Sequence, residues 1–137
     1  MSPILDTKRA AEKRLKALFP SIPIAYEGIS FTPPTTSMYI RVQFAIRPPD
    51  DPVLGSRYYR ERISFQVFVV DVANKGTAAS FETAETIRSS FYKSLTLTEN
   101  NTKIHIWETP HVVGTDVVEN KLVTPVLIEL VAEVYKD

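Results

Sequence analysis

Between Met38 and Arg47 the chain alternates without a break: Met38, Ile40, Val42, Phe44 and Ile46 form an apolar series, and Tyr39, Arg41, Gln43, Ala45 and Arg47 fall between them. Successive side chains of a strand point to opposite faces, so this period predicts an antiparallel strand with one covered face and one polar, open face. Pro48, Pro49 and Pro52, with Asp50 and Asp51, break the pattern. It resumes after Gly55, where Ile63, Phe65, Val67 and Val69 face one way and Arg62, Ser64 and Gln66 the other. The two runs predict a hairpin with a long loop at its tip. Because 47–60 offers neither ladder donors nor apolar burial, that segment is expected to be mobile in an isolated subunit and to order on assembly.

A helical period appears twice. Ser2 and Pro3 suit a cap and a first turn, and Ile4, Ala11, Leu15 and Leu18 follow at helical spacing until Pro20 and Pro23 turn the chain into an extended segment over 22–27. The other side of this helix carries Lys8, Arg9, Lys13, Arg14 and Lys16, which read as a solvated face. Thr77 is placed to cap a second helix whose stripe is Phe81, Ala84, Ile87, Phe91 and Leu95. The stretch 96–102 reads as a polar turn, 103–108 as a strand, the surroundings of Pro110 and Gly114 as irregular, and 122–135 as a last strand. There Val126, Ile128, Leu130, Ala132 and Val134 share one face and Leu127, Glu129, Val131, Glu133 and Tyr135 the other. The order predicts an α+β sandwich: a mainly antiparallel sheet of about five strands, two helices packed on one face, and a long β-hairpin loop. At 137 residues, without repeat or compositional break, 1–137 reads as one domain.

Composition narrows the chemistry. Sixteen Lys and Arg balance sixteen Asp and Glu, which disfavours non-specific binding of nucleic acid. No apolar run approaches the roughly 18 residues of a membrane span, and charges interrupt the N-terminal apolar residues, so a soluble protein without signal peptide or membrane contact is expected. There is no cysteine, and the four glycines form no phosphate-binding or dinucleotide-binding loop. A nucleophile elbow and a zinc-protease helix are likewise missing, so no catalytic residue, cofactor or metal is expected. His105, Glu108 and His111 lie close in sequence, but strand alternation puts His105 and Glu108 on opposite faces, and the histidines read as surface residues. Asp50 and Asp51 read as solvated loop acids. Trp107 is either an interface anchor or packed under a loop of its own chain. Tyr58 and Tyr59, flanked by Arg57 and Arg60, read as a protein contact rather than a base-stacking platform.

Charge placement adds one asymmetry. Residues 1–20 carry five positive side chains (Lys8, Arg9, Lys13, Arg14, Lys16) and two negative ones, whereas 108–137 carry two positive and six negative. Either the two ends pair within a subunit, or one copy's positive patch meets the next copy's negative patch, as a head-to-tail ring requires.

Taken in order, these features resemble the tail terminator, or tail-completion, proteins of long-tailed bacteriophages. The resemblance rests on the leading helix over 4–19 and the extended Ile24-Ala25-Tyr26-Glu27, then Phe31-Thr32-Pro33 running into Tyr39-Ile40-Arg41-Val42. It continues through Phe65-Gln66-Val67-Phe68-Val69, Asn74-Lys75-Gly76 before the helix over 78–91, and Thr124-Pro125-Val126-Leu127-Ile128-Glu129-Leu130. The family pattern near Ile24 often has an Ala-Trp or Asn-rich phrase where this chain has Ala-Tyr-Glu-Gly, which leaves open another neck component, such as a head-closure adaptor. A small enzyme or ligand-binding domain is the third reading.

The resemblance implies a structural virion protein, assembled in the host cytoplasm and placed at the head-proximal end of the tail. It implies a homo-hexameric ring that stops growth of the tail tube, with the tail tube protein on one side and the head-tail connector on the other. DNA is expected to pass the lumen without specific binding. The expected contact residues lie on outward strand faces and the long hairpin: Arg41, Gln43, Arg57, Tyr58, Arg62, Trp107, Glu129 and Glu133.

Overall fold

The computed structural model describes residues 2–136, so Met1 and Asp137, the two ends of the expected domain, lie outside the described residues. Helix α1 (Pro3–Leu18) begins as its sequence directs: the Ser2 hydroxyl accepts from the Leu5 N–H at 3.3 Å, and Pro3 sits in the first turn, where no amide is missed. Its buried line is Asp6, Thr7, Ala10, Ala11 and Leu15. After the Pro20–Pro23 turn, β1 (Ile24–Ala25) pairs in parallel with β2 (Tyr39–Asp50), so the sheet is mixed rather than wholly antiparallel.

Strand β2 does not stop at Pro48. It pairs with β3 (Tyr58–Val72) through Arg47↔Arg62 and again at Asp50↔Arg60, with a register shift between. Prolines are tolerated at such a bulge because the unpaired positions there ask for no ladder donor. The loop expected over 47–60 is therefore a paired arm, and only 51–57 at its tip lies outside both strands. Ile46, placed in the core-facing series by its period, is 52% exposed because the arm has left the helices behind.

Helix α2 (Ala78–Ser90) starts after Thr77, which makes no side-chain capping bond. Ser80, Ala84, Ile87 and Phe91 form its buried line, whereas Phe81, one residue round the helix from Ser80, is 36% exposed. The expected polar turn over 96–102 is a hairpin instead: β4 (Thr96–Glu99) and β5 (Thr102–Ile106) are joined by Asn100 and Asn101, both at positive φ. Asn populates that region readily, and two such residues match the twist of a tight hairpin. The irregular stretch holds β6 (His111–Val112) and β7 (Asp116–Val118).

Strand β8 (Lys121–Tyr135) is the spine. On one side it pairs with β3 along its whole length, and on the other with β7, β6 and β5 in succession. The sheet runs β1-β2-β3-β8-β5-β4, and its eight strands among the described residues correct the expected five. Residues of both helices join one core cluster with the sheet. That cluster holds Ile40, Val42, Phe65, Val67, Val69, Ile104, Ile106, Val126, Ile128 and Leu130 with Ala11, Leu15, Ala84, Ile87 and Phe91. Phe65 sits at the middle, stacked on Phe44 at 4.8 Å between ring centres and tilted against Phe91 at 5.9 Å. Arg14 on α1 donates to the Ser90 carbonyl at 2.9 Å, satisfying an end of α2 and joining the two helices over the core.

Candidate functional site

With the helices on one side, the polar series of every long strand is left on the other. Cross-strand register brings Arg41 beside Phe68 and Pro125, Gln43 beside Gln66 and Leu127, Ser64 beside Glu129, Arg62 between Arg47 and Val131, and Arg60 beside Glu133. Six of the eight residues expected from the sequence, Arg41, Gln43, Tyr58, Arg62, Glu129 and Glu133, thus belong to one surface. Trp107 follows β5 at the rim of this surface, and Arg57 lies in the arm tip, where its carbonyl accepts from the Lys136 N–H at 2.7 Å.

The surface is held together by hydrogen-bonded charge pairs. Arg47 Nε donates to Glu129 at 2.9 Å, and the buried Ser64 hydroxyl donates to the other Glu129 oxygen at 2.8 Å. Four residues further along β8, Glu133 accepts from His105 Nε2 at 2.8 Å and from the Tyr58 hydroxyl at 3.0 Å. His105 Nδ1 lies 3.0 Å from the Thr96 hydroxyl; with Nε2 carrying the proton toward the carboxylate, Nδ1 accepts in the neutral ring. The bond from His105, outweighing the cost of burial and aided by Tyr58, holds the Glu133 carboxyl below its ordinary range. Burial and the neighbouring Glu133 carboxylate push the Tyr58 hydroxyl up.

Between these pairs lies a hollow of about 460 Å³ lined by Asp50, Arg60, Arg62, His105, Trp107, Val131 and Glu133. Trp107 is 46% exposed and carries the Arg62 guanidinium 5.7 Å from its ring centre, so it is not sealed under a loop of its own chain. Asp50 is not a free loop acid: Arg60 donates to it at 2.6 Å across the arm. Arg47, Arg60, Ser64 and His105 also belong to this surface but are not among the contact residues expected from the sequence. Their signal was present in the alternation that selected Arg41 and Arg62, but their partners become visible only once the register is known. Of the charges near the chain ends, Lys8 pairs with Glu27, Lys13 with Glu99, Glu129 with Arg47 and Glu133 with His105, while Arg9 and Lys16 join no ion pair among the described residues.

The chain is thus α+β, with one sheet face covered by helices and the other set with charges, hydroxyls and a half-exposed tryptophan. Its sequence matches the family model described as phage tail terminator protein over residues 6–129, and the chain belongs to that family. It is a structural component of a bacteriophage tail, and hence of the virion. A solved structure of 24% sequence identity matches with a TM-score of 0.77, covering 100% of this chain and 99% of its own; at that identity the likeness shows the fold. Comparison with curated proteins gives no match. No helix among the described residues is long and apolar enough to cross a membrane.

Proposed function

We propose that copies of this chain close into a ring, six in number as the family resemblance implies, on the head-proximal end of the tail tube, where the ring stops tube growth and offers a docking surface to the head connector. The observation that carries this reading is the open sheet face, where Arg41, Gln43, Arg62, Glu129 and Glu133 are set in strands, Trp107 stands at the rim under Arg62, and Glu129 and Glu133 are fixed by charge-assisted bonds. Such prepaid order lowers the entropy lost when a partner is met. The formal charge of zero fits a lumen that lets DNA slide, since a lining rich in phosphate contacts would hold it through counterion release.

The test is genetic and structural. Particles made without this protein should carry tails of uncontrolled length, or tails that fail to join heads. Normal tails on filled heads would refute the terminator role. Binding of the purified chain to the portal complex and not to tube protein would instead assign it to head closure.

A further inference from the structure

A second surface lies on the opposite side of the subunit. Between the outer side of α1 and the loop after β1 runs a groove of about 630 Å³, where Leu5 is 42% and Ile29 66% exposed and four bases, Lys8, Arg9, Lys13 and Lys16, stand along the wall against two acids, Glu12 and Glu27. Its inner end abuts β2: Lys8 Nζ lies 5.2 Å from the Phe44 ring centre, and Glu27 accepts from the Phe44 N–H at 3.3 Å.

The arm tip has complementary properties. Asp51, Val53 and Leu54 follow the last ladder pair, with Val53 50% exposed and Leu54 completely so. The Arg60–Asp50 pair, Pro48, Pro49 and Pro52 stiffen the approach. Among the described residues, Asp51 at the tip and Arg9 and Lys16 at the groove take part in no ion pair. A subunit's own tip does not reach its own groove, because β2 carries it roughly 20 Å beyond Phe44, at about 3.3 Å per residue.

We infer that the arm tip of one copy seats in the α1 groove of the next, with Leu54 and Val53 over Leu5 and Ile29 and Asp51 against Arg9 and Lys16. The contact is heterologous, joining different surfaces of identical chains, so its repetition gives a ring when the rotation between copies closes and a filament when it does not. This inference rests on the ring reading above and supplies the contact that reading leaves unassigned.

The chain has no cysteine, so introduced pairs report without background. L54C combined with A17C, placed in the groove, should give on oxidation a non-reducing ladder of species larger than dimer; each single variant stops at dimer. Sedimentation of the unmodified chain over a range of concentrations is measured alongside. A ring-sized species with no ladder overturns the arm-to-groove contact and leaves the ring intact. Monomer at every concentration with no ladder overturns both. Independently, D51K should raise the concentration of half-assembly roughly tenfold, and adding K16E should restore most of it, as expected for a charge pair at an interface. Failure of D51K to weaken assembly, or equal loss in the double variant, removes the assigned charge contact.

Discussion

Burial opposes the charge of Asp6, which is 2% exposed, yet the carboxyl is held below its ordinary range by hydrogen bonds from Thr102 at 2.8 Å and Asn100 at 3.0 Å, with the Arg9 charge adding to them. This one side chain fastens the start of α1 to the β4–β5 turn. Asp6→Ala should cost about 2 kcal/mol at neutral pH, the scale of lost hydrogen bonds to a charged group, measured by equilibrium denaturation. Asp6 and Glu133 share a sign: each carboxyl sits lower in the folded chain than in the unfolded one. Their contribution is complete above the unfolded values, about 3.9 for Asp and 4.3 for Glu, and disappears as pH falls through the folded values. Denaturation midpoints followed from pH 7 to pH 2 should therefore fall on the acid side, and less steeply for Glu133→Gln. An equally steep fall in that variant would show that Glu133 does not contribute. At the centre of the core, Phe65→Ala should cost about 3–5 kcal/mol, because ring contacts to Phe44 and Phe91 go with the buried area.

Among the elements, two hairpins turn on paired residues at positive φ: Asn100 and Asn101 between β4 and β5, and Glu119 and Asn120 between β7 and β8. Glutamate has no side-chain compensation for that backbone, so Glu119→Asn should stabilise by about 0.5–1 kcal/mol, seen as a higher melting temperature. Fast amide exchange should be confined to 51–57 rather than extend over 47–60, since pairing reaches Asp50 and Arg60; fast exchange at Arg60 would contradict the ladder. These elements also show what sequence makes legible. The long strands and both helices follow from hydrophobic period, since each buries one continuous stripe. Strand β4 did not, because Thr96, Thr98 and Glu99 give a polar edge strand no apolar alternation, and its only marker was the Asn-Asn turn. The arm was hidden for the opposite reason: prolines signal an end, but an edge strand with a bulge absorbs them. Most members of the open face were readable from one strand at a time. The pairs Arg47–Glu129 and His105–Glu133 were not, since they depend on strands 82 and 28 residues apart in sequence.

For the whole molecule, charge is balanced in sum and distributed in place, so assembly should respond to single charges more than to the total. Arg62→Glu should weaken assembly by about 1–3 kcal/mol while the subunit keeps its melting temperature, because its guanidinium lies over Trp107 on the open face and no core contact depends on it. A large drop in melting temperature would make Arg62 a folding residue instead. The position of β8 has a further consequence. It lies last among the described elements and is the common neighbour of β3, β5, β6 and β7, so nothing preceding it can close the sheet. On a ribosome, α1 and the β2–β3 hairpin emerge with their apolar faces unpaired and wait for the spine. A chain that lacks Lys121–Tyr135 leaves one edge of β3 bare and takes from β5, β6 and β7 the strand they pair with, so the two halves of the sheet can be joined only after β8 has been made.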